Sequence, residues 1–473
     1  MRTVAAAIDL SRAFDMVNHD ILLEKLSDSP LNSNIVRWLS AFLRGRHQAV
    51  IHNGVKSRFK QNRRGVPQGA VLSPTLFNFY VAEFPDIDSE ATTFADDITL
   101  FDTAVDIEES EIKLSQDLTK VVDWAKSIDL DISAQKSSVT LFTPSTHEFN
   151  YHPQVKIGDD VIPLQKNPKI LGVLFDPLFT FSPHIREIAK ATTNRLKILK
   201  ALAGTSWGQE SDTMILTFKA LIRSKIDFAS PIWAANVKPS PLIRLQSIQN
   251  AALRLATGCH KMASWQHLHS EAQILPVADH AKMTATQFLA SAMRPSHPSH
   301  PVVSAPKGPR NMKETLRSAF SCHLGQNIID NALPPAAYPE TLKQIHTSFV
   351  NSAKTQIGVN PLLNEPPPPV DKSEATLHRT TRSTLSQLRS SHCKALETYK
   401  MKIGLSQSST CPECGADDHS TSHLFNCPSF PTTLVIRDLW LRPRKVARFL
   451  SHIPSFSYLP PLDRPPPEPP PDP

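Results

Sequence analysis

Two adjacent carboxylates, Asp96 and Asp97, interrupt a run of β-branched and aromatic residues in TTFADDITLF, residues 92 to 101. An adjacent aspartate pair is typical of a solvated turn, but the flanking residues predict a β-hairpin that holds this pair at a partly buried tip. Two anions held there repel each other, and one of them protonates unless a cation neutralises the pair. A hard divalent metal with oxygen ligands is the expected partner.

A third carboxylate could complete such a metal site. In AAAIDLSRAFD, Asp9 ends a strand-like run and Asp15 follows six residues later. Three acidic groups on neighbouring strands can hold two Mg²⁺ about 4 Å apart, which stabilises the attacking and leaving oxygens in phosphoryl transfer. The pattern therefore indicates phosphoryl-transfer chemistry.

A second reactive cluster lies near the C-terminus. Its members have the spacing C-x2-C-x8-H-x3-C and are Cys411, Cys414, His423 and Cys427. This spacing predicts one closed, tetrahedral structural Zn²⁺ site, and Gly415 permits the tight turn between ligands. His419 is an alternative to His423, although HLFNC would place His423 and Cys427 one helical turn apart.

Charge and composition favour nucleic acid as the partner. The 473-residue chain carries a net charge of +7, and residues 372 to 450 hold 12 Lys/Arg against 6 Asp/Glu. Such a basic excess around a zinc cluster predicts an RNA or DNA contact surface. The basic residues assigned to this surface are Arg379, Arg382, Arg389, Lys394, Lys400, Lys402, Arg437, Arg442, Arg444, Lys445 and Arg448.

The location of the protein is predicted from what its sequence lacks. MRTVAAAIDL does not have the basic and apolar regions of a signal peptide, and no apolar run reaches about 18 residues. We therefore expect an intracellular protein of the nucleus or cytoplasm, not secreted and with no membrane partner. Its six cysteines should then be reduced thiols, which favours metal binding over disulfides in the close cluster.

Hydrophobic periodicity in the first 178 residues predicts an α+β fold. The pattern predicts strands at TVAAAIDL, SSVTLF and KILGVLF. It predicts a helix at ILLEKL, capped by Asn18 or Asp20. In AVLSPTLFNFYVAEF, Ser73 is expected at the N-cap and Pro74 at the first helical position. A small sheet with helices on one face is the expected layout.

The order of these segments resembles a known family. Three segments resemble motifs A, B and C of reverse transcriptases, in particular those of non-LTR (LINE-type, jockey-like) retrotransposons. They are, in order, IDLSRAFDMVNHDILLEKL, RRGVPQGAVLSPTLFNFYV and FADD. LDISAQKSSV resembles the motif D region and KILGVLFD resembles motif E, so the likeness covers about residues 4 to 176. It implies a polymerase right-hand palm, which is a small antiparallel sheet with helices, followed by a helical thumb and a small zinc-binding module.

The resemblance also implies an activity. Reverse transcriptases of this type synthesise DNA on an RNA template from a DNA primer at a nicked target, using dNTPs and two Mg²⁺. By resemblance, Asp9, Asp96 and Asp97 bind the Mg²⁺ ions, whereas Asp15 is typical of the motif without being a ligand. The backbone carbonyl of Leu10 would be a further ligand.

Other residues of the nucleotide pocket follow from the same resemblance. Phe14 matches the aromatic residue that excludes a 2′-OH, although an ordinary core phenylalanine would also fit its position. Gln68 and Gly69 would help to place the incoming dNTP and the templating base. Lys136 matches a motif D lysine proposed as the general acid toward pyrophosphate, and a plain solvated lysine is the alternative.

Proline content and motif positions together divide the chain. Thirteen prolines lie between Pro295 and Pro369, and ten lie in the last 23 residues. A basic helix, HIREIAKATTNRLKILKAL, follows motif E and suits a thumb that grips a duplex by its phosphates. The predicted divisions are 1–178 for the palm, 179–294 for the helical thumb or connection, 295–371 for the Pro-rich linker region, 372–450 for the basic CCHC zinc module, and 451–473 for a disordered polyproline tail.

Motif A lies within nine residues of Met1, which bears on activity. The fingers that precede motif A in the family, and an upstream endonuclease, are therefore expected to be missing from an N-terminally truncated element. The alternative function is a catalytically inactive relic that acts only as a zinc-dependent nucleic-acid-binding protein. A group II intron maturase is disfavoured by the C-terminal CCHC cluster.

Overall fold

The computed structural model describes residues 1–204, 208–234, 237–301, 338–356 and 358–461. They form two compact units, an N-terminal unit of Met1–Pro183 and a C-terminal unit of His184–Pro473. Residues 302–337 of the predicted linker and 462–473 of the predicted tail lie outside the described residues. None of the described helices is both long enough and apolar enough to cross a membrane.

The N-terminal unit contains one four-stranded antiparallel sheet and several two-residue hairpin strands. In chain order the strands are β1 Arg2–Asp9, β2 His47–Gln48, β3 Ile51–His52, β4 Val55–Lys56, β5 Lys60–Gln61, β6 Glu90–Phe94, β7 Asp97–Ala104, β8 Ser138–Phe142, β9 Lys156–Ile157, β10 Asp160–Val161, β11 Lys169–Ile170 and β12 Val173–Leu174. The main sheet has the order β6-β7-β1-β8, so β1 is a central strand between β7 and β8. Val4, Ala5, Ala6 and Ile8 of β1 are all buried, as expected for a central strand of small and β-branched apolar residues.

Three of the five helices between residues 13 and 127 begin at a side-chain cap. The five are α1 Ala13–Met16, α2 His19–Asp28, α3 Ser33–Leu43, α4 Ser73–Tyr80 and α5 Ile107–Ser127, and those with caps are α2, α3 and α5. Asn18 caps α2 by accepting from the backbone N–H groups of Asp20 and Ile21, and Asp106 caps α5 in the same way. Leu22, Phe77 and Leu118 from these helices share one core with the β1 and β7 side chains.

Two local predictions differ from the structure. Ser73 is the first residue of α4 rather than its N-cap, and its hydroxyl donates to the Pro67 carbonyl. KILGVLF forms the tight β11–β12 hairpin instead of one strand, because Leu171 and Gly172 both adopt positive φ angles between the two halves. The predicted α+β class with a small antiparallel sheet is confirmed.

The C-terminal unit is helical. Its helices are α6 Ser182–Leu202, which starts at the unit boundary, α7 Ser211–Phe218, α8 Ser224–Asp227, α9 Ser230–Trp233, α10 Pro239–Thr257, α11 Trp265–Ala272, α12 Val277–Ala292, α13 Tyr338–Gln356, α14 Arg379–Arg389, α15 Glu397–Lys402, α16 Thr421–Leu424, α17 Asp438–Leu441 and α18 Pro443–Leu450. A single π-helical turn at Lys219–Arg223 connects α7 to α8. The region predicted as a linker contains α13, whose Ile345 packs against Met283 and Ala290 of α12.

The packed core of the C-terminal module includes residues beyond its predicted end at residue 450. Ile453, Phe456 and Leu459 are buried in the same core as Leu385 and Trp440. The predicted tail boundary at residue 451 is therefore too early for these residues. The aromatic and aliphatic residues before the proline run supply core contacts that the prolines cannot.

Candidate active site and candidate metal centre

The strand register brings two of the predicted carboxylates together. Asp9 is the last residue of β1 and pairs directly with Asp97, the first residue of β7. Directly opposed residues in an antiparallel pair have Cβ atoms roughly 5 Å apart. Asp96 occupies the two-residue turn before β7, so the three carboxylates lie at one end of the central strands.

The tip of the β6–β7 hairpin is more exposed than the partly buried tip that the sequence predicts. Asp96 and Asp97 are both exposed, whereas Asp9 is half-buried. Ala95, the other turn residue, has a φ of 53°, a left-handed conformation that costs free energy in a residue with a side chain. The strain therefore lies next to the aspartate pair.

The surroundings of Asp97 raise the pKa of its carboxyl. Although the residue as a whole is exposed, partial desolvation of the carboxyl raises its pKa most, and the negative charges of Asp96 and Asp9 raise it further. A divalent cation among these oxygens would reverse the effect by favouring the ionised form. The donor set is therefore suited to a hard divalent metal.

A loop after α5 holds the end of β1 in place. The backbone N–H of Asp9 donates to Ser137 Oγ at 3.2 Å, and Ser137 Oγ donates to the Ser133 carbonyl at 2.7 Å. Ser133 N–H in turn donates to the Asp9 carbonyl at 3.1 Å, and Ser11 N–H donates to the Asp131 carbonyl. Leu10 and Ile132 thus face each other in a β-bridge whose hydrogen bonds are made by the backbone groups of Asp9 and Ser11. The Leu10 carbonyl accepts no hydrogen bond in this bridge.

Ser137 is a positioning residue that the sequence did not reveal. It is fully buried, and nothing in SSVTLF distinguishes its hydroxyl from that of an ordinary strand serine. Lys136 precedes it and is exposed in the turn, with its backbone N–H bonded to Ser133. The predicted general acid thus lies on the loop that contacts Asp9.

Phe14 lies beside a cavity near the carboxylates. Its ring stacks on Phe77 of α4, with centroids 4.4 Å apart and planes 15° apart. It also lines a cavity of about 610 Å³, together with Leu10, Ala95 and residues of α4. The stacking on Phe77 fits an ordinary core phenylalanine. The position at the cavity wall fits a ring that borders a nucleotide sugar. The structure is therefore compatible with both roles that the sequence predicts for Phe14.

The motif B loop is attached to the motif A turn by backbone hydrogen bonds. Gly65 N–H donates to the Val17 carbonyl and Val66 N–H donates to the Phe14 carbonyl, at 2.8 and 2.9 Å. The Gln68 amide donates to Asp15 Oδ1 at 2.9 Å. Asp15 therefore orients Gln68 rather than completing the carboxylate group, and Gln68 and Gly69 are both exposed at this point.

The second cluster converges as the sequence predicts. One ligand atom from each of Cys411, Cys414, His423 and Cys427 lies within 4.8 Å of the others. Cys414 Sγ and His423 Nε2 are 3.3 Å apart. Gly415 has a φ of 77° and its N–H donates to the Cys411 carbonyl, which forms the tight turn expected between the first two ligands.

The structure also distinguishes the two candidate histidines. His419 Nδ1 accepts from the Glu397 N–H at 3.1 Å, and the His419 carbonyl accepts from the Thr398 hydroxyl. His419 is fully buried by these contacts and is not a member of the converging group. Burial lowers the pKa of His419, so that its ring favours the neutral form.

Comparison with known proteins identifies the N-terminal segment. Residues 1–175 match the family model for reverse transcriptase (RNA-dependent DNA polymerase). This segment is a reverse transcriptase domain. The identification agrees with motifs A to E and with the position of Asp9, Asp96 and Asp97 at one end of the sheet.

Curated relatives extend the likeness beyond this domain. The chain is 24% identical over 338 residues to the RNA-directed DNA polymerase from mobile element jockey of Drosophila funebris, covering 69% of this chain and 36% of that protein. It is 29% identical over 317 residues to the probable RNA-directed DNA polymerase from transposon X-element of Drosophila melanogaster, covering 62% and 33%. The chain thus spans about a third of the length of these relatives, and the predicted likeness to jockey-like elements is confirmed.

A solved structure also aligns with the chain. Telomerase from Candida albicans, in complex with a fragment of telomeric RNA, covers 68% of this chain and 51% of its own, at 11% identity and a TM-score of 0.25. A similarity this low does not support a statement about the fold.

The conformation of Gly65 in the reverse transcriptase domain leads to a testable prediction. Gly65 has a φ of 83°, and a Cβ there would lie 2.8 Å from the Asp15 carbonyl oxygen. We expect Gly65→Ala to destabilise the motif B loop by about 2 kcal/mol or more, through strain and a backbone clash. Faster hydrogen exchange in peptides covering residues 62–70 would report this loss.

Gly69→Ala is the matched control for this substitution. Gly69 has a similar φ of 86°, but nothing lies within 4 Å of its Cβ position. We expect only the conformational cost there, about 1 kcal/mol. Equal effects of the two substitutions would show that the contact with Asp15 does not matter.

The raised pKa of Asp97 predicts how magnesium binding varies with pH. A carboxyl with a raised pKa takes up its proton at a higher pH than a free aspartate does, and this proton competes with a bound cation. We expect Mg²⁺ affinity, measured by calorimetric titration, to fall as the pH falls through the raised pKa of Asp97. Asp96→Asn should move the midpoint of this fall in affinity to lower pH, because it removes one neighbouring anion. An affinity that does not change with pH would contradict the assignment of Asp97 as a metal ligand.

Several basic residues predicted to contact nucleic acid instead form hydrogen bonds or ion pairs within the C-terminal unit. Arg379 donates to the carbonyls of Gln209 and Leu255, and Arg382 pairs with Asp212. The prediction was wrong for Arg389, which is fully buried and paired with Glu271 and Glu374. Periodicity alone could not show which arginines of an amphipathic helix meet internal carboxylates.

Proposed function

We propose that this chain is a reverse transcriptase fragment of a non-LTR retrotransposon, which extends a DNA primer on an RNA template by two-metal nucleotidyl transfer. The register that sets Asp9 opposite Asp97, with Asp96 in the adjoining turn, carries this proposal. The target would be nicked chromosomal DNA, as the resemblance implies. The comparisons do not favour the alternative of an inactive relic.

The palm residues have distinct roles in this proposal. Asp9, Asp96, Asp97 and the Leu10 carbonyl would hold two Mg²⁺, which would activate the primer 3′-OH and neutralise charge on the departing pyrophosphate. Phe14 would border the sugar and exclude a 2′-OH. Lys136 would donate a proton to the leaving group from the loop that contacts Asp9.

The motif B loop would position the nucleotide. Asp15 accepts from the Gln68 amide, which fixes the direction of that side chain. A polar cavity of about 440 Å³ adjoins it and is lined by Arg46, Arg64 and Gln68 among others. We assign Gln68 and Gly69 to contacts with the incoming dNTP and the templating base.

The C-terminal module would supply a zinc-stabilised nucleic-acid surface. Helix α18 buries Val446, Ala447 and Leu450, and its other face exposes three basic residues, namely Arg444, Lys445 and Arg448. These cations form no ion pair within the described part of the chain. They are therefore available for phosphate contacts, unlike Arg389.

The different positions of these arginines give a prediction. We expect the double substitution Arg444→Gln, Arg448→Gln to weaken nucleic-acid binding and to lower the slope of log K against log salt by about 2, because each arginine releases about one counterion. The melting temperature should not change, since both side chains are exposed. Binding measured by fluorescence anisotropy at several salt concentrations tests this expectation.

Arg389→Met is the contrasting variant. It would leave Glu271 and Glu374 buried without their cation, which costs about 3–5 kcal/mol of stability. We expect a lower melting temperature and no change in the salt slope of the remaining folded protein. A lower salt slope in Arg389→Met, with normal stability, would show that Arg389 contacts nucleic acid and does not stabilise the fold.

Primer extension on an RNA template by the purified full chain, with Mg²⁺, tests the main proposal. Extension that depends on the three carboxylates would support it.

A further inference from the structure

A cavity in the C-terminal unit has no role in the chemistry described above. It has a volume of about 430 Å³ and lies between the segment before α11, the segment after α13 and the ends of α14 and α15. Its walls include apolar residues, namely Met262, Val359, Pro361 and Pro367, and two histidines, His267 and His392. We call it the His267 cavity.

His267 presents an unused hydrogen-bonding atom. The side chain is only 9% exposed, and its Nε2 is buried with no hydrogen-bond partner among the described residues. The nearest carboxylate oxygen, Glu271 Oε1, is 4.0 Å away, which is too far for a hydrogen bond. A buried polar atom without a partner costs free energy, so a partner from outside the protein is expected.

The protonation of His267 limits what that partner can be. Burial lowers the pKa of the ring, and the nearby Glu271 carboxylate raises it by less, so the neutral form is favoured. The neutral ring has one N–H donor and one acceptor nitrogen, so Nε2 bonds with either a donor or an acceptor, according to the tautomer. A neutral partner that carries both kinds of group on one edge meets either case.

His392 is held in a fixed orientation at the same cavity. Its ring stacks on His260, with centroids 5.6 Å and planes 8° apart, and meets the Tyr399 ring edge-on. The Tyr399 hydroxyl lies 2.7 Å from His260 Nε2, which fixes the stack. His392 Nδ1 is also buried with no partner among the described residues, so a second ring nitrogen is ready for a ligand.

The charges around the cavity exclude a simple anion site. Arg389 lines it, but its guanidinium is paired with Glu271 and Glu374 and also donates to the Leu439 carbonyl. The other cation among the lining residues is Lys402, which is exposed. The interior therefore suits a neutral ligand, and the rim suits an attached negative charge.

We propose that the His267 cavity binds one unstacked nucleobase of a single-stranded nucleic acid, with a neighbouring phosphate at Lys402. A nucleobase is flat and neutral, carries both N–H donors and acceptors on its edge, and has two faces that pack on proline and aliphatic side chains. Single-stranded nucleic acid is commonly recognised through bases that are splayed out of the stack. This inference rests on the nucleic-acid-binding function proposed above and adds a base-binding subsite to it.

The test compares bases with backbone. Fluorescence anisotropy would measure binding of the full chain to a single-stranded RNA about ten nucleotides long, and to an abasic ribose-phosphate strand of the same length. We expect His267→Phe, which removes both ring nitrogens and keeps an aromatic ring, to weaken binding of the base-bearing RNA about 10-fold or more. Binding of the abasic strand should not change, because it places no base in the cavity.

A second variant and a control complete the design. Val359→Trp, which fills the cavity from an exposed loop, should cause the same selective loss and decides the matter if His267→Phe does not fold. His346→Phe, at an exposed histidine of α13, should leave both affinities unchanged.

The outcomes separate the two proposals. Wild-type affinity for base-bearing RNA in both cavity variants would overturn the cavity proposal while leaving nucleic-acid binding intact. If the folded wild-type protein bound neither strand, the nucleic-acid-binding function itself would fail, and the cavity proposal with it.

Discussion

The double substitution Asp96→Asn, Asp97→Asn abolishes RNA-templated primer extension, with an expected fall in rate of about a thousand-fold or more. These carboxylates adjoin Asp9 at the end of β1, and asparagine keeps their size while removing the charge that would hold a divalent metal. Stabilising the negative charge that develops in phosphoryl transfer is the largest contribution such a site makes. Incorporation of labelled dNTP into a primer on an RNA template, with Mg²⁺, measures the effect.

The chain contains its own matched control for this experiment. Asp159 and Asp160 are a second adjacent aspartate pair, also exposed and also in a hairpin: Asp159 lies in the turn after β9, and Asp160 is the first residue of β10. Asp159→Asn, Asp160→Asn changes the net charge by the same amount in the same unit, but Asp160 pairs with Ile157 rather than with an aspartate. We expect this variant to extend the primer at the wild-type rate.

Each outcome has a distinct meaning. Equal loss of activity in the two double variants would show that net charge, not the carboxylate group at Asp9, controls extension. If the wild-type protein does not extend the primer although it folds and binds nucleic acid, the chain is a relic polymerase. The zinc-dependent nucleic-acid-binding alternative would then describe its remaining function.

Removal of zinc unfolds the C-terminal module, which is the second large effect that we expect. Cys411, Cys414, His423 and Cys427 converge in a segment that otherwise has only the four-residue helix α16. Structural zinc in comparable small sites contributes about 10–16 kcal/mol of binding free energy near pH 7. We therefore expect one zinc per chain by metal analysis, and loss of circular dichroism and protease resistance in residues 372–459 after chelation.

Cysteine variants separate zinc binding from packing. Cys414→Ser should lose zinc, whereas Cys393→Ala should keep it, because Cys393 is a buried thiol outside the converging group. Burial raises the pKa of the Cys393 thiol to about 11, so it remains protonated near neutral pH and is a poor metal ligand. A protein that contains no zinc, with an unchanged spectrum after chelation, would overturn the assignment.

The local elements were predictable because their signals are local. Asn18 before α2, Pro74 within the first turn of α4 and the repeated apolar residues of α5 each specify a helix from neighbouring residues. The same holds for β1 and β8, whose β-branched and small apolar residues fit buried strands. The class of the fold follows from these elements together.

Hairpin and boundary details were less predictable. The β11–β12 turn depends on a positive φ at Leu171, which is an unfavourable conformation for leucine that neighbouring contacts must impose. The burial of Phe456 and Leu459 depends on a core built from residues such as Leu385, about seventy positions earlier. Neither is encoded in a short window of sequence.

By itself, the sequence determined which residues were candidates: the carboxylates of motifs A and C, the loop with Gln68 and Gly69, and the four-ligand cluster. Residue type and spacing suffice for this, because metal ligands and positive φ angles restrict the possible residues strongly. The tertiary structure decided which candidates meet. It pairs Asp97 with Asp9 but places Ile157 opposite Asp160 of the similar pair Asp159 and Asp160, because strand register is set by the whole sheet.

The same reason separates the arginines of the C-terminal unit. Arg389 and Arg448 are equally basic residues on amphipathic helices, yet one is buried between Glu271 and Glu374 and the other is exposed. The partners of Arg389 lie 118 and 15 positions away along the chain, so no local pattern could report them. Long-range packing therefore decided which charges hold the fold together and which remain available to bind nucleic acid.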